Sequence, residues 1–314
     1  MGRFAGKTAL VTGGSRGLGL LIAERLGRRG CRVMICARDA DELETAGRRL
    51  RAAGVDAETV VCDVTDPGAG KHLVDTVTSR FGQLDVLVNN AGVIQVGPLK
   101  ALTGPDFDNA WQTMFAGPLR LILAALPQMR ARRSGTIVNI ASIGGRIPVP
   151  HLLPYVAAKH AMAGFSSGLR AELAADGISV TTVFPGLMRT GSHRAATFSG
   201  RPDQEFAWFS ALAGMPLVSG SADRAARAIV RAAEHRRPEL VFTPAAKLGS
   251  RLYALAPATA TRVLGLTSRL LPAATETPGH NVPGAAIANR QSPLLAGATA
   301  LNERAARQNN EPLG

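Results

Sequence analysis

Short apolar runs recur along the first 243 residues, each followed by a stretch of helical spacing, and this alternation narrows the possible folds more than any other feature. Residues 8–12, 32–37, 58–62, 84–89, 136–142, 178–184 and 239–243 read as strands. Residues 18–29, 41–53, 68–81, 105–133, 153–176 and 221–235 read as the helices around them. The strand runs are continuously apolar rather than alternating, as in a parallel sheet covered on both faces. Repeated βα units of this kind predict an α/β fold with a doubly wound parallel sheet. Gly117, Pro118 and Pro127 fall inside the 105–133 stretch and make it the least regular of the helices.

With 314 residues the chain is long enough to bury a sizeable core, as one large α/β domain or two small ones. Hydrophobic residues at 46% and charged residues at 19% exclude a disordered chain. The net charge of +13 comes mainly from arginines spread along the sequence. No Lys/Arg block with interleaved aromatics accompanies it, so no nucleic-acid partner is expected and a solvated basic surface is. Cys31, Cys36 and Cys62 lie in apolar segments without CxxC spacing, which predicts reduced core thiols. The six histidines are scattered singly, so no metal site is expected. The chain enters a strand at about Lys7, leaving no room for a signal peptide, and Gly6 stands where a myristoylation signal wants Ser or Thr. No apolar run reaches eighteen residues. A cytoplasmic protein is expected.

Beyond Pro185 the pattern loosens. Residues 187–220 read as a lid over the substrate, and Met188, Phe198, Phe206, Trp208 and Phe209 either line an apolar pocket or pack the lid down. A boundary is expected near Pro244, with residues 1–244 forming the main domain and 245–314 a C-terminal extension. Residues 248–271 are apolar and helix-prone, broken at Pro257, while 272–314 read as irregular or partly disordered. Arg251, Arg262 and Arg269 among leucines leave two fates open: a membrane interface, or packing against the enzyme or a second copy.

The glycine turn Thr12-Gly13-Gly14-Ser15-Arg16-Gly17-Leu18-Gly19 ends the first strand and opens the first helix. Glycines there let the backbone turn tightly against a pyrophosphate, whose charge the helix N-terminus favours. Gly13, Ser15, Arg16, Gly17, Leu18 and Gly19 are therefore candidate dinucleotide contacts. At the end of the second strand, Ala37 occupies the place of the acid that grips the ribose hydroxyls of NAD. Arg38 follows, and with Arg16 offers two guanidinium groups for a 2′-phosphate, which selects NADP(H). Asp39 has two roles open to it, facing the ribose or capping the next helix. Asp63 and Val64 end the third strand beside the expected adenine position, where Asp63 either accepts from the adenine or serves as an ordinary helix-entry acid. Asn89, Asn90, Ala91 and Gly92 end the fourth, where amides brace the sheet and adjoin the cofactor.

Tyr155 and Lys159 are four residues apart and share a helix face, with Ser142 thirteen residues before the tyrosine. A phenol with an ordinary pKa of about 10 is a poor base, and a neighbouring ammonium is expected to draw it down. Ser142 is placed to hydrogen-bond a substrate carbonyl where charge develops.

Together the glycine turn, NNAG, Ser142, YxxxK and Pro185-Gly186 with Thr190 resemble the short-chain dehydrogenase/reductase family over about residues 5–243. The resemblance implies one Rossmann-like domain with a seven-stranded parallel sheet. It implies that Tyr155 exchanges a proton, that Lys159 also holds the nicotinamide ribose and that Ser142 orients the carbonyl. Pro185, Gly186 and Thr190 would join the cofactor contacts. It also implies a homodimer or homotetramer paired through the helices at 105–133 and 153–176. One position departs from the pattern: Met114 stands where the family has an Asn that holds a relay water, which predicts slower turnover or a substitute relay. The expected function is NADP(H)-dependent hydride transfer to or from a carbonyl or alcohol carbon of a lipophilic small molecule. The alternative is a low-activity NADP(H)-binding sensor or scaffold.

Overall fold

A computed structural model describes residues 2–215, 219–273, 281–290 and 304–311. Seven strands form one parallel sheet: β1 (Thr8–Thr12), β2 (Arg32–Ala37), β3 (Ala57–Val61), β4 (Val86–Asn89), β5 (Gly135–Ile140), β6 (Ile178–Phe184) and β7 (Glu239–Val241). Their order is β3-β2-β1-β4-β5-β6-β7, so the direction of winding reverses between β1 and β4. That reversal opens a crevice beyond the carboxyl ends of the strands, where ligands of such sheets bind.

The helices are α1 (Gly17–Gly27), α2 (Ala40–Ala52), α3 (Ala69–Phe81), α4 (Gly104–Trp111), α5 (Gly117–Ala131), α6 (Leu153–Glu172), α7 (Pro202–Gly214), α8 (Ala222–Glu234), α9 (Pro244–Leu255) and α10 (Pro257–Thr267). Helices α1, α2 and α8 close one face of the sheet through Leu20, Ile22, Leu43, Leu50, Ile229 and their neighbours. Helices α3 and α5 close the other through Leu73, Val77, Ile122 and Leu126, with Phe165 and Leu169 of α6 packed alongside. Both β1 and β6 are buried along their whole length, as strands of a parallel sheet covered on both faces are. Cys31, Cys36 and Cys62 are free and buried.

The single helix expected over 105–133 is α4 and α5 joined by a π-helical turn, Gln112–Ala116. Pro118 lacks an amide to donate and sits at the start of α5, where the π turn hands over. Gly117 is required by packing, since a Cβ there would lie 2.6 Å from the Val64 carbonyl oxygen.

The lid is more regular than its sequence suggests. It holds α7, a short helix at Ser192–Ala195, and the strand pair Met188–Arg189 with Gly220–Ser221. Residues 216–218 of the lid lie outside the described residues. The extension corrects the expectation in the same direction. Val282–Pro283 pairs with Thr197–Phe198, Gly284–Ala288 is helical, and residues 304–308 form a further helical turn against the glycine turn. Other parts of 272–314 lie outside the described residues. The break at Pro257 separates α9 from α10, as the sequence predicts. Leu248, Leu252, Leu255, Val263 and Leu266 are exposed on these two helices, and no residue of α10 is buried. Among the described residues no helix is long and apolar enough to cross a membrane.

Candidate active site

A cavity of about 780 Å³ lies over the carboxyl ends of β1, β2, β4, β5 and β6. At one end it is floored by the glycine turn. Gly13 (φ +60°) and Gly17 (φ +57°) adopt left-handed conformations that side chains resist. A Cβ at Gly13 would also come within 2.9 Å of the Ala91 Cα. Asn90 ties the turn to β4. Its Nδ2 donates to the Thr12 and Gly13 carbonyls at 3.0 and 3.1 Å, and Thr12 Oγ1 accepts from the Asn90 and Ala91 amides. Helix α1 starts at Gly17 without a side-chain cap, so its first amides are donors suited to an anion. Gly13, Ser15, Arg16, Gly17, Leu18, Ala91 and Gly92 line the cavity.

Gly19 is not among the lining residues. A Cβ there would lie 2.1 Å from the Gly13 oxygen and 2.5 Å from Asn90 Nδ2, so the residue serves close packing of helix on turn.

Past β2, Asp39 accepts from the Glu42 amide at 2.8 Å and caps α2, which settles one of its two roles. Arg38 is largely exposed at the cavity edge and pairs with Asp63 at 3.6 Å. Desolvation pulls Asp63 upward, but hydrogen bonds from the Thr65 amide and hydroxyl, together with Arg38, hold its carboxyl below the usual range. Val64, Pro185, Gly186 and Thr190 complete the lining on this side.

At the middle of the cavity the structure brings Ser142, Tyr155 and Lys159 together. Ser142 follows β5 and its Oγ accepts from the Gly144 amide at 3.0 Å. Ser142 stands beside the Tyr155 phenol and favours its ionised form. Lys159 is buried and its Nζ donates to the Ile140 carbonyl at 2.7 Å, 5.7 Å from the centre of the Tyr155 ring. Below them a buried polar row crosses the sheet: Asn89 Nδ2 to Asn139 at 2.8 Å, Asn139 Nδ2 to Ser166 at 2.9 Å, and Ser166 to Thr182 at 2.7 Å.

The electrostatics differ from the expectation that Lys159 lowers Tyr155. Burial raises the phenol above its ordinary value against the opposing effect of Ser142. The same burial lowers Lys159 to about 8. Desolvation penalises the phenolate and the ammonium alike.

The far end is apolar. Val149, Leu152, Leu187, Met188, Trp208, Phe209, Leu212 and Ala213 line it. The two readings of the lid aromatics both hold, for different residues. Phe198 and Phe206 are fully buried and pack the lid down, while Met188, Trp208 and Phe209 face the cavity. Trp208 is held from behind, its Nε1 donating to Glu205 at 2.7 Å, and Glu205 also pairs with His151 Nδ1 at 2.8 Å. Met114 lies in the π turn, buried with Ala110 and Ala158 against Val93 and Tyr155.

Two acidic lining residues escape the sequence reading, Glu42 and Glu311. Glu42 accepts from Ser15 Oγ at 3.2 Å and pairs with Arg16 at 2.6 Å. Glu311 arrives from the opposite end of the chain and carries no local signal.

The short chain dehydrogenase family model matches residues 7–198. A putative ketoacyl reductase of Streptomyces coelicolor is 43% identical over 186 residues, 59% of this chain and 71% of that protein. A fatty acyl-CoA reductase of Acinetobacter baylyi is 32% identical over 277 residues, 88% of each chain. A solved structure of a single-substitution variant of actinorhodin polyketide ketoreductase with NADPH superposes with a TM-score of 0.66 at 34% identity, covering 77% of this chain and 97% of that one. This chain belongs to the short-chain dehydrogenase/reductase family, and is an oxidoreductase by class.

Proposed function

We propose that the chain is an NADP(H)-dependent carbonyl reductase acting on a lipophilic ketone or aldehyde. The observation that carries this reading is the position of Ser142, Tyr155 and Lys159 between a glycine-rich anion cradle and an apolar wall in one cavity. Two features support NADP(H) over NAD: Ala37 in place of the ribose-binding acid, and Arg16 and Arg38 at the same end of the cavity. Asp39 is engaged as a helix cap. The ketoreductase neighbour solved with NADPH supports it further. The apolar wall, and relatives named for ketoacyl and fatty acyl substrates, support a substrate with an acyl chain.

A bound NADPH supplies the hydride. The protein's own groups then have three tasks. Ser142 orients the carbonyl oxygen, Tyr155 protonates that oxygen, and Lys159 sits behind the phenol as the next donor. Burial keeps Tyr155 protonated at neutral pH, the state a general acid needs for reduction. Lys159, with its pKa near 8, is still largely an ammonium there. Met114 contributes no proton to this relay.

NADPH oxidation with a panel of long-chain ketones and aldehydes tests the proposal, with Tyr155→Phe as control. Turnover is expected to fall about 10²–10⁴-fold in the control, the range of a lost general acid. Tight NADPH binding with no turnover on any substrate would favour the sensor or scaffold alternative that Met114 motivates. The reading extends to a main domain of residues 1–244 with an extension at 245–314, to pairing through α4, α5 and α6, and to a cytoplasmic protein whose exposed α9 and α10 meet either a second copy of the chain or an anionic membrane surface. Sizing and lipid co-sedimentation check the last two contacts.

A further inference from the structure

The helix N-terminus that the cofactor's phosphates need is already engaged by the chain itself. Residues 304–311 run across the glycine turn and engage two of its donors, the Gly17 amide and the Arg16 guanidinium. The Gly17 amide, first of α1, donates to the Asn309 carbonyl at 2.8 Å. Asn310 Nδ2 donates to the Ser15 carbonyl at 2.8 Å and to that of Glu42 at 3.2 Å. Arg49 donates to the Gln308 carbonyl at 2.5 Å, and Asn309 Nδ2 to the Thr190 carbonyl at 3.3 Å. Ala306 is fully buried, so close to Gly191 that a Cβ on the glycine would come within 2.5 Å of the Ala306 Cα. Glu311 sits deepest. Its Oε1 lies 2.9 Å from where a Gly17 Cβ would be, and its Oε2 pairs with Arg16 Nε at 3.4 Å.

Two of the groups engaged here are ones that an anionic ligand would use: the helix-start amide of the left-handed Gly17 and the guanidinium of Arg16. A carboxylate has taken the place of a phosphate, and it is a poor substitute. Glu311 Oε2 is buried and accepts no hydrogen bond, and burial, with Glu42 nearby, pushes its pKa up to about 7 despite Arg16. A buried acceptor left in that state costs free energy that a better-matched anion would recover.

We propose that residues 304–311 are an intramolecular competitor for the phosphate end of the NADP(H) site. The docked segment and the cofactor's pyrophosphate call on the same donors, so only one of them is held at a time. The apparent affinity for NADPH is then the intrinsic one reduced by the fraction of molecules in which the segment is undocked. This rests on the NADP(H) reading of the glycine turn given above.

Titration of NADPH into the full-length protein and into Ala306→Arg and Asn310→Ala tests the competition, with hydrogen exchange of the 304–311 peptide read in parallel. Ala306→Arg places a charged side chain in a fully enclosed contact and should evict the segment. The NADPH Kd is expected to tighten about tenfold, the value for a segment docked in nine molecules of ten. Asn310→Ala removes two hydrogen bonds from a partly exposed residue and should tighten it less. In the unaltered protein, saturating NADPH should speed exchange across 304–311. Equal Kd values for all three proteins, or exchange that slows on NADPH binding, would overturn the competition and leave the cofactor reading standing. NADPH binding to none of the three would remove both.

Discussion

Where the cavity meets the glycine turn its lining is largely backbone: Gly13, Gly17, Ala91 and Gly92 present main chain, locked by Asn90 and Thr12. At the substrate end it is side chains, Met188, Trp208, Phe209 and Leu212, carried by a segment outside the central sheet. The first end has almost no freedom to vary, because its shape is a matter of φ angles and van der Waals limits. The second keeps its shape through how α7 packs, and its contents are free to change with the substrate. Reaction class and substrate choice therefore reside in physically different materials.

Three substitutions break or sharpen that contrast. The largest effect is expected for Gly19→Ala. One methyl group driven against the Gly13 carbonyl must displace the turn, costing about 1–3 kcal/mol of stability and abolishing NADPH binding. Thermal melts and NADPH titration measure both, and wild-type affinity would contradict the rigid-backbone account. Trp208→Ala should act only at the other end. KM for a long-chain substrate is expected to rise about tenfold, the loss of ~1.4 kcal/mol of contact, with kcat and NADPH affinity little changed. A kcat that falls as far as kcat/KM would mean that the indole acts on the chemical step.

The third effect is electrostatic and lies between the two ends. Lys159 has a pKa near 8 in the folded chain against 10.5 as its ordinary value. Between those limits the unfolded chain holds the extra proton, so stability should rise with pH from about 8 to 10.5 and be flat in this respect below 8. Denaturant melts across that window should show the slope in the unaltered protein and its absence in Lys159→Met. An equal slope in both would assign it to other groups.

The same contrast explains what a reader of the sequence could recover. The glycine turn, the strands and the YxxxK helix were legible because backbone constraints and helix geometry leave residue-type signatures at fixed local spacing. Asp39 stands between two roles in the sequence because a cap and a ribose ligand want the same residue, and in the structure it caps α2 while also lining the cavity. The π turn at Gln112–Ala116 has no compositional mark beyond the glycine and proline after it. Helix α7 hid in a lid whose apolar residues face both the core and the cavity, which blurs its periodicity. Gly19 was assigned to the cofactor because turn and ligand both demand glycine, and its own demand is contact with Gly13. Glu311 was beyond reach, because its partners Arg16 and Glu42 belong to the opposite end of the chain.

The packing of α1 on α8 has a consequence for how the protein is made. Leu18, Leu21 and Ile22 of the first helix share a core with Ala225, Ile229 and Ala233 of α8, and Arg25 and Arg29 pair with Asp223 and Glu234. A ribosome releases α1 long before it releases α8, with most of the sheet emerging between them. Through that interval part of the first helix's apolar face has no partner from its own chain. The nascent chain therefore spends most of its synthesis with the α8 share of that face uncovered, although α1 and α2 are already made, and exposed apolar surface of this kind favours aggregation.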